Sequence, residues 1–503
     1  MNAAQHTLSS TAGSEALQRA VALVQQGRLE EADQQAQLAL RDPDTRAVAN
    51  SVLGTIRLQQ KRLVESATFL REAIRLEPRL AGAHLSLAEV YTLQHKPAAA
   101  AGLFRRVLEL DPSNVTARLA LASSEAERGN YQRSLDLVEP VLAVIKQSPD
   151  GLFLLATDFL KTGDRQAAAA LVEDWARLAG VPQAWSIKFA LLLAKEGAVT
   201  GAVDILERVK QTSPPSYELA FNLGGLHLLG GDPARALENY DVALGLEPNS
   251  VPALRQAAAT AERQNELERS LSYWLRARKL EPNDPEILLG FGRVCLKMDL
   301  LEDAEPALVS AAVMRPDDPT YQYTLAAAKV GKRQFEAAQD LLERLVKKQP
   351  QDPQLQYALG SVFYIQGRLT EAAEHLGESV RLQPGQLASY YYLALVARDQ
   401  GHDAEAIETL DALLRRYPDH APSCEALGGL LMSAQRYTDA ERNLRKAVEL
   451  TPKSVKANYQ LGLLLARMGK KEEADNQLAL AKSLRVEDEA TSRLQLRLLE
   501  PDR

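Results

Sequence analysis

Residues 217–250 read YELAFNLGGLHLLGGDPARALENYDVALGLEPNS, and this stretch decides the fold. Two apolar stripes with helical spacing are separated by the glycine pair Gly230 and Gly231, and the second stripe ends near Pro248. Glycine at such a break can adopt the positive φ of a helix C-cap. Proline stops a helix because it lacks an N–H and disfavours α geometry in the residue before it. The stretch therefore predicts two helices joined by a tight turn.

The same pattern recurs along the chain with a fixed period of 34 residues. A proline stands at every such step from Pro214 to Pro452. Counting from Gly13 gives fourteen repeats that end at Asp488. The eighth position is alanine or glycine in every repeat, and the twentieth is alanine or serine. A fixed period of this length indicates a repeat architecture in which small residues let helices approach closely.

The pattern resembles the tetratricopeptide repeat, whose small residues at positions eight and twenty, bulky residue at twenty-four and terminal proline are all present. The resemblance implies an all-α fold, a right-handed α-α superhelical solenoid of helix pairs over residues 13–488. We expect contacts almost entirely between adjacent repeats in one continuous array. Residues 1–12 are predicted to be disordered, and residues 489–503 to form a capping helix and tail.

Repeats four to six, residues 115–216, match the pattern least well. Lys146 and Gly180 replace the terminal proline, and Trp175 occupies a position that is usually small. Trp185 follows ten residues later. We expect a local change in the superhelix built on a bulky core, because tryptophan is largely buried on average. A partner surface around the two tryptophans is the alternative.

Composition excludes several classes of partner. The net charge is −7 and no lysine- or arginine-rich run occurs, so we expect no nucleic-acid binding. No apolar run approaches the roughly 20 residues of a membrane span, so we expect no membrane insertion. The N-terminus lacks the basic start and apolar core of a signal peptide, which favours a cytoplasmic protein. A periplasmic location is the alternative if an export signal has been removed.

The chain offers no recognisable catalytic or ligand-binding motif. Its two cysteines, Cys295 and Cys424, lie far apart in packing positions, and the seven histidines never occur at metal-ligand spacing. The sequence GFGRVC at 290–295 begins like a dinucleotide motif, but Gly292 is the packing glycine of position eight. We therefore predict no catalytic residues, no metal and no cofactor.

Partner-binding residues are implied by the resemblance. In this family the first helix of each repeat lines a concave groove through positions two, five, six, nine, twelve and thirteen. The corresponding aromatic and amide residues here are Phe221, Asn222, Tyr323, Tyr357, Tyr364, Tyr391, Tyr392 and Tyr459, and the corresponding basic residues include Lys188, Arg255 and Arg293. Tyrosine offers large contact area at low entropic cost. The tyrosines could instead pack against the neighbouring first helix, and the basic residues could form an ordinary solvated face.

The resemblance implies a non-enzymatic scaffold that binds a protein or peptide segment, with acidic residues expected in that segment. One alternative is a recruiting or regulatory subunit of an enzyme or of a secretion complex, such as one that exports polysaccharide. Another is an architectural protein that associates with itself.

Overall fold

The computed structural model describes the backbone of residues 2–488 and the side chains of residues 12–485. Within this range the secondary structure is helical and contains no strand. The chain forms two compact halves, Met1–Leu246 and Glu247–Arg503.

The helices of the N-terminal half follow the predicted pairs. They are α1 (Asn2–Gln25), α2 (Leu29–Ala39), α3 (Arg46–Gln59), α4 (Leu63–Leu76), α5 (Ala81–Leu93), α6 (Pro97–Leu110), α7 (Val115–Glu127), α8 (Tyr131–Val138), the 3₁₀ turn η1 (Glu139–Val141), α9 (Leu142–Ile145), α10 (Pro149–Thr162), α11 (Arg165–Ala176), α12 (Gln183–Lys195), α13 (Val199–Thr212), α14 (Tyr217–Leu229) and α15 (Pro233–Leu246).

The C-terminal half continues with helices of regular length. They are α16 (Val251–Arg263), α17 (Leu267–Leu280), α18 (Pro285–Lys297), α19 (Leu301–Met314), α20 (Pro319–Gly331), α21 (Phe335–Lys348), α22 (Pro353–Ile365), α23 (Leu369–Leu382), α24 (Leu387–Asp399), α25 (Asp403–Arg416), α26 (Ala421–Ser433), α27 (Tyr437–Leu450), α28 (Val455–Arg467) and α29 (Lys471–Asp488).

Within each half, helices pack mainly on the helices next to them along the chain and on the helix after those. The predicted all-α class of stacked helix pairs is therefore confirmed. One continuous array of fourteen repeats stays a prediction. The backbone of α1 is helical from Asn2, whereas the sequence suggested disorder over residues 1–12, and that disorder also stays a prediction. The predicted capping helix over residues 489–500 lies outside the described residues.

The turn inside each pair has the left-handed geometry that the sequence predicted at its glycines. Gly231 has a φ of 80°, and the equivalent glycines of seven other repeats also have positive φ. The remaining six repeats reach the same geometry without glycine, at Lys61, His95, Asn265, Asp299, Arg333 and Gln435. The turn is thus set by the packing of the two helices, which offsets the cost of a left-handed side chain.

The small residues of positions eight and twenty lie where the helices of a pair approach each other. Ala236 is buried on α15, and a Cβ added to Gly224 on α14 would lie 2.7 Å from Cε1 of Tyr240. Where position twenty is serine, the short distance between the two helices allows a hydrogen bond between them. For example, Ser66 Oγ donates to the Gly54 carbonyl at 2.7 Å. Gly224 is therefore required by helix packing and Gly231 by the left-handed turn.

Two adjacent glycines on α14 allow a matched test of this packing. Gly224→Ala should destabilise the protein by about 2 kcal/mol, because the new Cβ meets the Tyr240 ring and the Ala236 carbonyl oxygen. Gly225→Ala places its Cβ 3.8 Å from the Tyr240 hydroxyl, an ordinary contact. That variant should be neutral or more stable by up to about 1 kcal/mol, since alanine favours helix. Urea unfolding of both variants checks this, and equal effects would contradict it.

The expected irregularity of repeats four to six is visible as a broken second helix. The second helix of repeat four is interrupted between α8 and α9 by η1, which contains Pro140. Proline in a helix interior removes a backbone donor and clashes with the preceding turn. This break lies six residues before Lys146, the departure from the pattern that the sequence analysis noticed.

A buried carboxyl in the same region was missed by the sequence analysis. Asp158 on α10 is fully buried, and neither of its carboxylate oxygens makes a hydrogen bond. Burial raises the pKa of Asp158 to about 6. The nearby Ser134 hydroxyl lowers the pKa by a smaller amount, although it does not form a hydrogen bond with the carboxylate. The sequence signal for this buried carboxyl is a single acidic residue, Asp158, among the apolar residues of α10.

Candidate partner-binding surfaces

The first helices of the C-terminal half are joined by a repeated side-chain contact. A position-five side chain contacts the position-two side chain of the following repeat. Gln354 Nε2 donates to the Tyr323 hydroxyl at 2.7 Å, Lys456 Nζ lies 2.6 Å from Glu425 Oε1, and Arg255 pairs with Glu286. Positions two and five of neighbouring first helices therefore lie side by side in these repeats.

Four tyrosines of α22 and α24, at groove positions five, six and twelve, form a connected cluster. We define the tyrosine cluster as Tyr357, Tyr364, Tyr391 and Tyr392. The Tyr392 ring lies 6.0 Å from that of Tyr357, 5.6 Å from Tyr364 and 5.5 Å from Tyr391, each time edge to face. Edge-to-face packing is a favoured arrangement of aromatic rings. The cluster thus holds its members in fixed orientations.

Polar groups next to the cluster fix one of its hydroxyls. The Tyr364 hydroxyl donates to Asp399 Oδ2 at 2.9 Å and accepts from Arg398 Nη2 at 3.3 Å. Burial, together with the adjacent Asp399 carboxylate, raises the pKa of Tyr364 to about 12. Tyr364 therefore stays a neutral phenol at physiological pH.

The tyrosines differ widely in exposure, which the sequence analysis did not foresee. Tyr357 is only 3% exposed, so it does not lie on an open face as the groove assignment assumed. Its ring contacts that of Tyr392 in the next repeat. Tyr459 is 51% exposed, and Tyr323, Tyr364, Tyr391 and Tyr392 are half-buried. The assignment of the remaining tyrosines to partner binding stays a prediction.

The predicted basic residues of the C-terminal half are largely paired within the chain. Arg293 donates two hydrogen bonds of 2.7 Å to the Glu262 carboxylate, which is only 7% exposed. Arg255 is paired with Glu286. These two arginines therefore do not present free positive charge to a partner. The pairing of these arginines with Glu262 and Glu286 depends on contacts between repeats.

The N-terminal half has its own first-helix surface on α12. Trp185 is 36% exposed and Leu191 is 41% exposed, and Lys188 and Lys195 lie on the same side of the helix. No ion pair of Lys188 occurs among residues 12–485. We call this set, Trp185, Lys188, Leu191 and Lys195, the α12 face. It combines apolar contact area with positive charge.

Aromatic residues beside the α12 face are mostly core. The Trp175 ring stacks on Phe189 at 4.0 Å, and its Nε1 donates to Ser186 Oγ at 3.1 Å. Trp175 is 4% exposed. The expected bulky core is therefore present around Trp175, whereas Trp185 reaches the surface.

In α14 the Phe221 ring stacks on Tyr217, and the Asn222 amide donates to the Glu218 carbonyl of its own helix.

Three further features of the described residues concern thiols, metal ligands and membrane spans. Cys295 and Cys424 are buried free thiols, and burial raises the pKa of Cys295 to about 12. Among the residues that the structure describes, no three His, Cys, Asp or Glu side chains gather as metal ligands would. No helix in the described part of the chain has the length and hydropathy that a bilayer span requires.

Similarities to solved structures are weak. The structure of the hetero-tetramer Cut9–Hcn1 of APC/C has 13% identity and a TM-score of 0.43, with 83% of this chain and 96% of that chain covered. Yeast Tom70 has 15% identity and a TM-score of 0.37, with coverage of 96% and 97%. MamA from Desulfovibrio magneticus RS-1 has 24% identity and a TM-score of 0.32, and covers 34% of this chain and 96% of its own.

The family is established by sequence. No curated protein matches the sequence. A family model described as Tetratricopeptide repeat matches residues 85–149, 153–217, 255–319, 323–386 and 426–481, and a second model of the same description matches residues 363–428. The first model alone covers more than half of the chain. This protein therefore belongs to the tetratricopeptide repeat family.

Proposed function

We propose that this protein is a non-enzymatic scaffold whose first-helix surfaces bind segments of other proteins. Tetratricopeptide repeats generally act as protein-interaction scaffolds. The observation that carries the proposal for this chain is the tyrosine cluster on α22 and α24. Its half-buried members combine apolar contact area with phenol hydroxyls, the composition that binding hot spots favour.

The cluster is suited to binding because its side chains are already ordered. Tyr391 packs edge to face on Tyr392 at 5.5 Å and on His420 at the same distance. A tyrosine that is held in place before binding loses little rotamer entropy when a partner arrives. The cluster should therefore contribute binding energy through apolar side chains and main-chain groups of a partner segment.

The α12 face supports a second binding surface with a different preference. Lys188 and Lys195 are exposed between the apolar side chains of Trp185 and Leu191. Exposed lysines attract carboxylates and speed association at low salt. We propose that this face binds an amphipathic segment with acidic residues. The paired arginines Arg255 and Arg293 have no part in this preference.

Partner capture from the source organism tests the tyrosine cluster. A Tyr391→Ala, Tyr392→Ala double variant should recover its partner proteins at least about tenfold less well than wild type, since hot-spot truncations cost about 2 kcal/mol or more. Tyr437→Ala is the control, because Tyr437 is another half-buried tyrosine of the C-terminal half but lies on a second helix, at the start of α27. Quantitative mass spectrometry of captured proteins measures both.

The comparison has a clear failing outcome. If the double variant and wild type recover the same proteins in equal amounts, with both folded by circular dichroism, the tyrosine cluster is not the binding surface. An equal loss in Tyr437→Ala would show that truncating any half-buried tyrosine of this half reduces capture, and would also count against the tyrosine cluster.

A further inference from the structure

A cavity of about 510 Å³ lies on the other side of α24, away from the tyrosine cluster. Its floor is formed by Leu393, Val396 and Ala397 of α24. The walls include Ala373 of α23, Leu413 of α25 and Tyr417, which directly follows α25. Pockets of this volume hold small ligands and single side chains of peptides. The cavity lies wholly within the C-terminal half.

Small side chains keep this cavity open. Ala373, Ala397 and Ala412 line it. Two tyrosines, Tyr390 and Tyr417, add aromatic surface to the lining. The result is an apolar space with room for an alkyl chain.

The rim of the cavity is acidic on the α25 side. Glu405 and Glu408 both line it and both are exposed. Within residues 12–485 neither forms an ion pair with lysine or arginine, and only His402 Nδ1 approaches Glu405, at 3.8 Å. On the neighbouring α23, by contrast, Glu371 and Glu378 are paired with arginines. The negative charge of this rim is therefore available to a ligand.

The single cation in the lining is held at the far end. Arg416 lies eight residues after Glu408 on α25, which corresponds to about 12 Å along the helix. Its guanidinium lies over the Tyr417 ring at 5.4 Å, and its Nη1 donates to the Pro384 carbonyl at 3.3 Å. Arg416 is thus held by Tyr417 and the Pro384 carbonyl and leaves the carboxylates unneutralised.

We propose that this cavity binds a lysine side chain of an extended basic segment in a partner protein. The alkyl stem of lysine would lie along the apolar floor while its ammonium meets the two carboxylates, because lysine buries its stem and keeps its charge at the rim. An aromatic ring such as that of Tyr390 in the lining also favours a nearby cation. This site is separate from the surfaces of the proposed function, and its partner has the opposite charge to the segment expected at the α12 face.

Calorimetric titration of the full chain with an acetylated, amidated hexalysine peptide at low ionic strength tests the proposal. Exposed ion pairs contribute up to about fivefold each, so Glu405→Gln with Glu408→Gln should weaken binding by about tenfold. Ala412→Trp should weaken it similarly by filling the mouth, since Ala412 is exposed and the fold should tolerate a larger side chain. The control pair is Glu238→Gln with Asp340→Asn, which removes the same charge from two exposed acids at the position equivalent to Glu408.

Binding that both cavity variants weaken, and that the control pair changes by less than about twofold, would support the proposal. Equal weakening by the control pair would show general attraction to an acidic protein and overturn it. An unchanged affinity in Ala412→Trp, with folding confirmed by circular dichroism, would also overturn it, as would no binding to wild type. Spermidine that binds as tightly and competes with hexalysine would identify a free alkylammonium as the occupant instead. Tyr391→Ala with Tyr392→Ala should leave this titration unchanged, which separates it from the partner-capture test.

Discussion

Trp175→Ala is expected to destabilise the protein by about 4 kcal/mol, because truncating a buried tryptophan removes a large apolar side chain and leaves a cavity. Trp175 is 4% exposed and lies at the centre of an aromatic core. Its ring stacks on Phe189 at 4.0 Å and meets Phe153 edge to face at 5.6 Å. The loss of its Nε1 hydrogen bond also leaves Ser186 Oγ without that donor.

Trp185 provides the matched control for this prediction. It contacts the same Phe153 ring, at 5.7 Å, but is 36% exposed. Trp185→Ala should therefore cost no more than about 1.5 kcal/mol, since part of its surface is already in water. Urea unfolding, together with hydrogen exchange of α10 to α12, measures both variants. Similar losses of stability would show that the two tryptophans are not divided between core and surface.

The repeat architecture could be predicted because its causes lie within one or two repeats. The small residues at positions eight and twenty recur in every repeat and allow helices to approach. The turn glycines, such as Gly231, mark the left-handed geometry directly. A residue such as Arg333 gives no such signal, yet it adopts the same φ because the helices on both sides of it impose the geometry.

The exposure and the pairing of side chains on the candidate surface could not be predicted in the same way. Periodicity places Arg293 on the first-helix surface, but Arg293 forms an ion pair with Glu262, which lies 31 residues earlier. The accessibility of Tyr357 depends on Tyr392, which follows 35 residues later. Such pairings vary from repeat to repeat while the backbone pattern does not. The sequence therefore predicts which positions share a surface and not which side chains remain available on it.

The burial of Tyr357 leads to the second large effect. Tyr357→Ala should destabilise the protein by about 3 kcal/mol, because a large aromatic side chain that is 97% removed from solvent is lost from between α22 and α24. Ala358 and Leu359 beside it are also buried, so the neighbouring side chains have little freedom to close the cavity. Tyr459→Ala, at the equivalent position of a later repeat, should cost less than about 1 kcal/mol, because Tyr459 is 51% exposed.

Denaturant unfolding of Tyr357→Ala and Tyr459→Ala checks this difference, and a loss below about 1 kcal/mol for Tyr357→Ala would show that its site is open. The result also determines how binding data are to be interpreted. If Tyr357→Ala unfolds part of α22 and α24, its failure to recover a partner says nothing about contacts with that partner. Only half-buried members of the cluster, such as Tyr391 and Tyr392, can separate binding from folding. Their truncation removes less buried area from the folded protein than truncation of Tyr357 does.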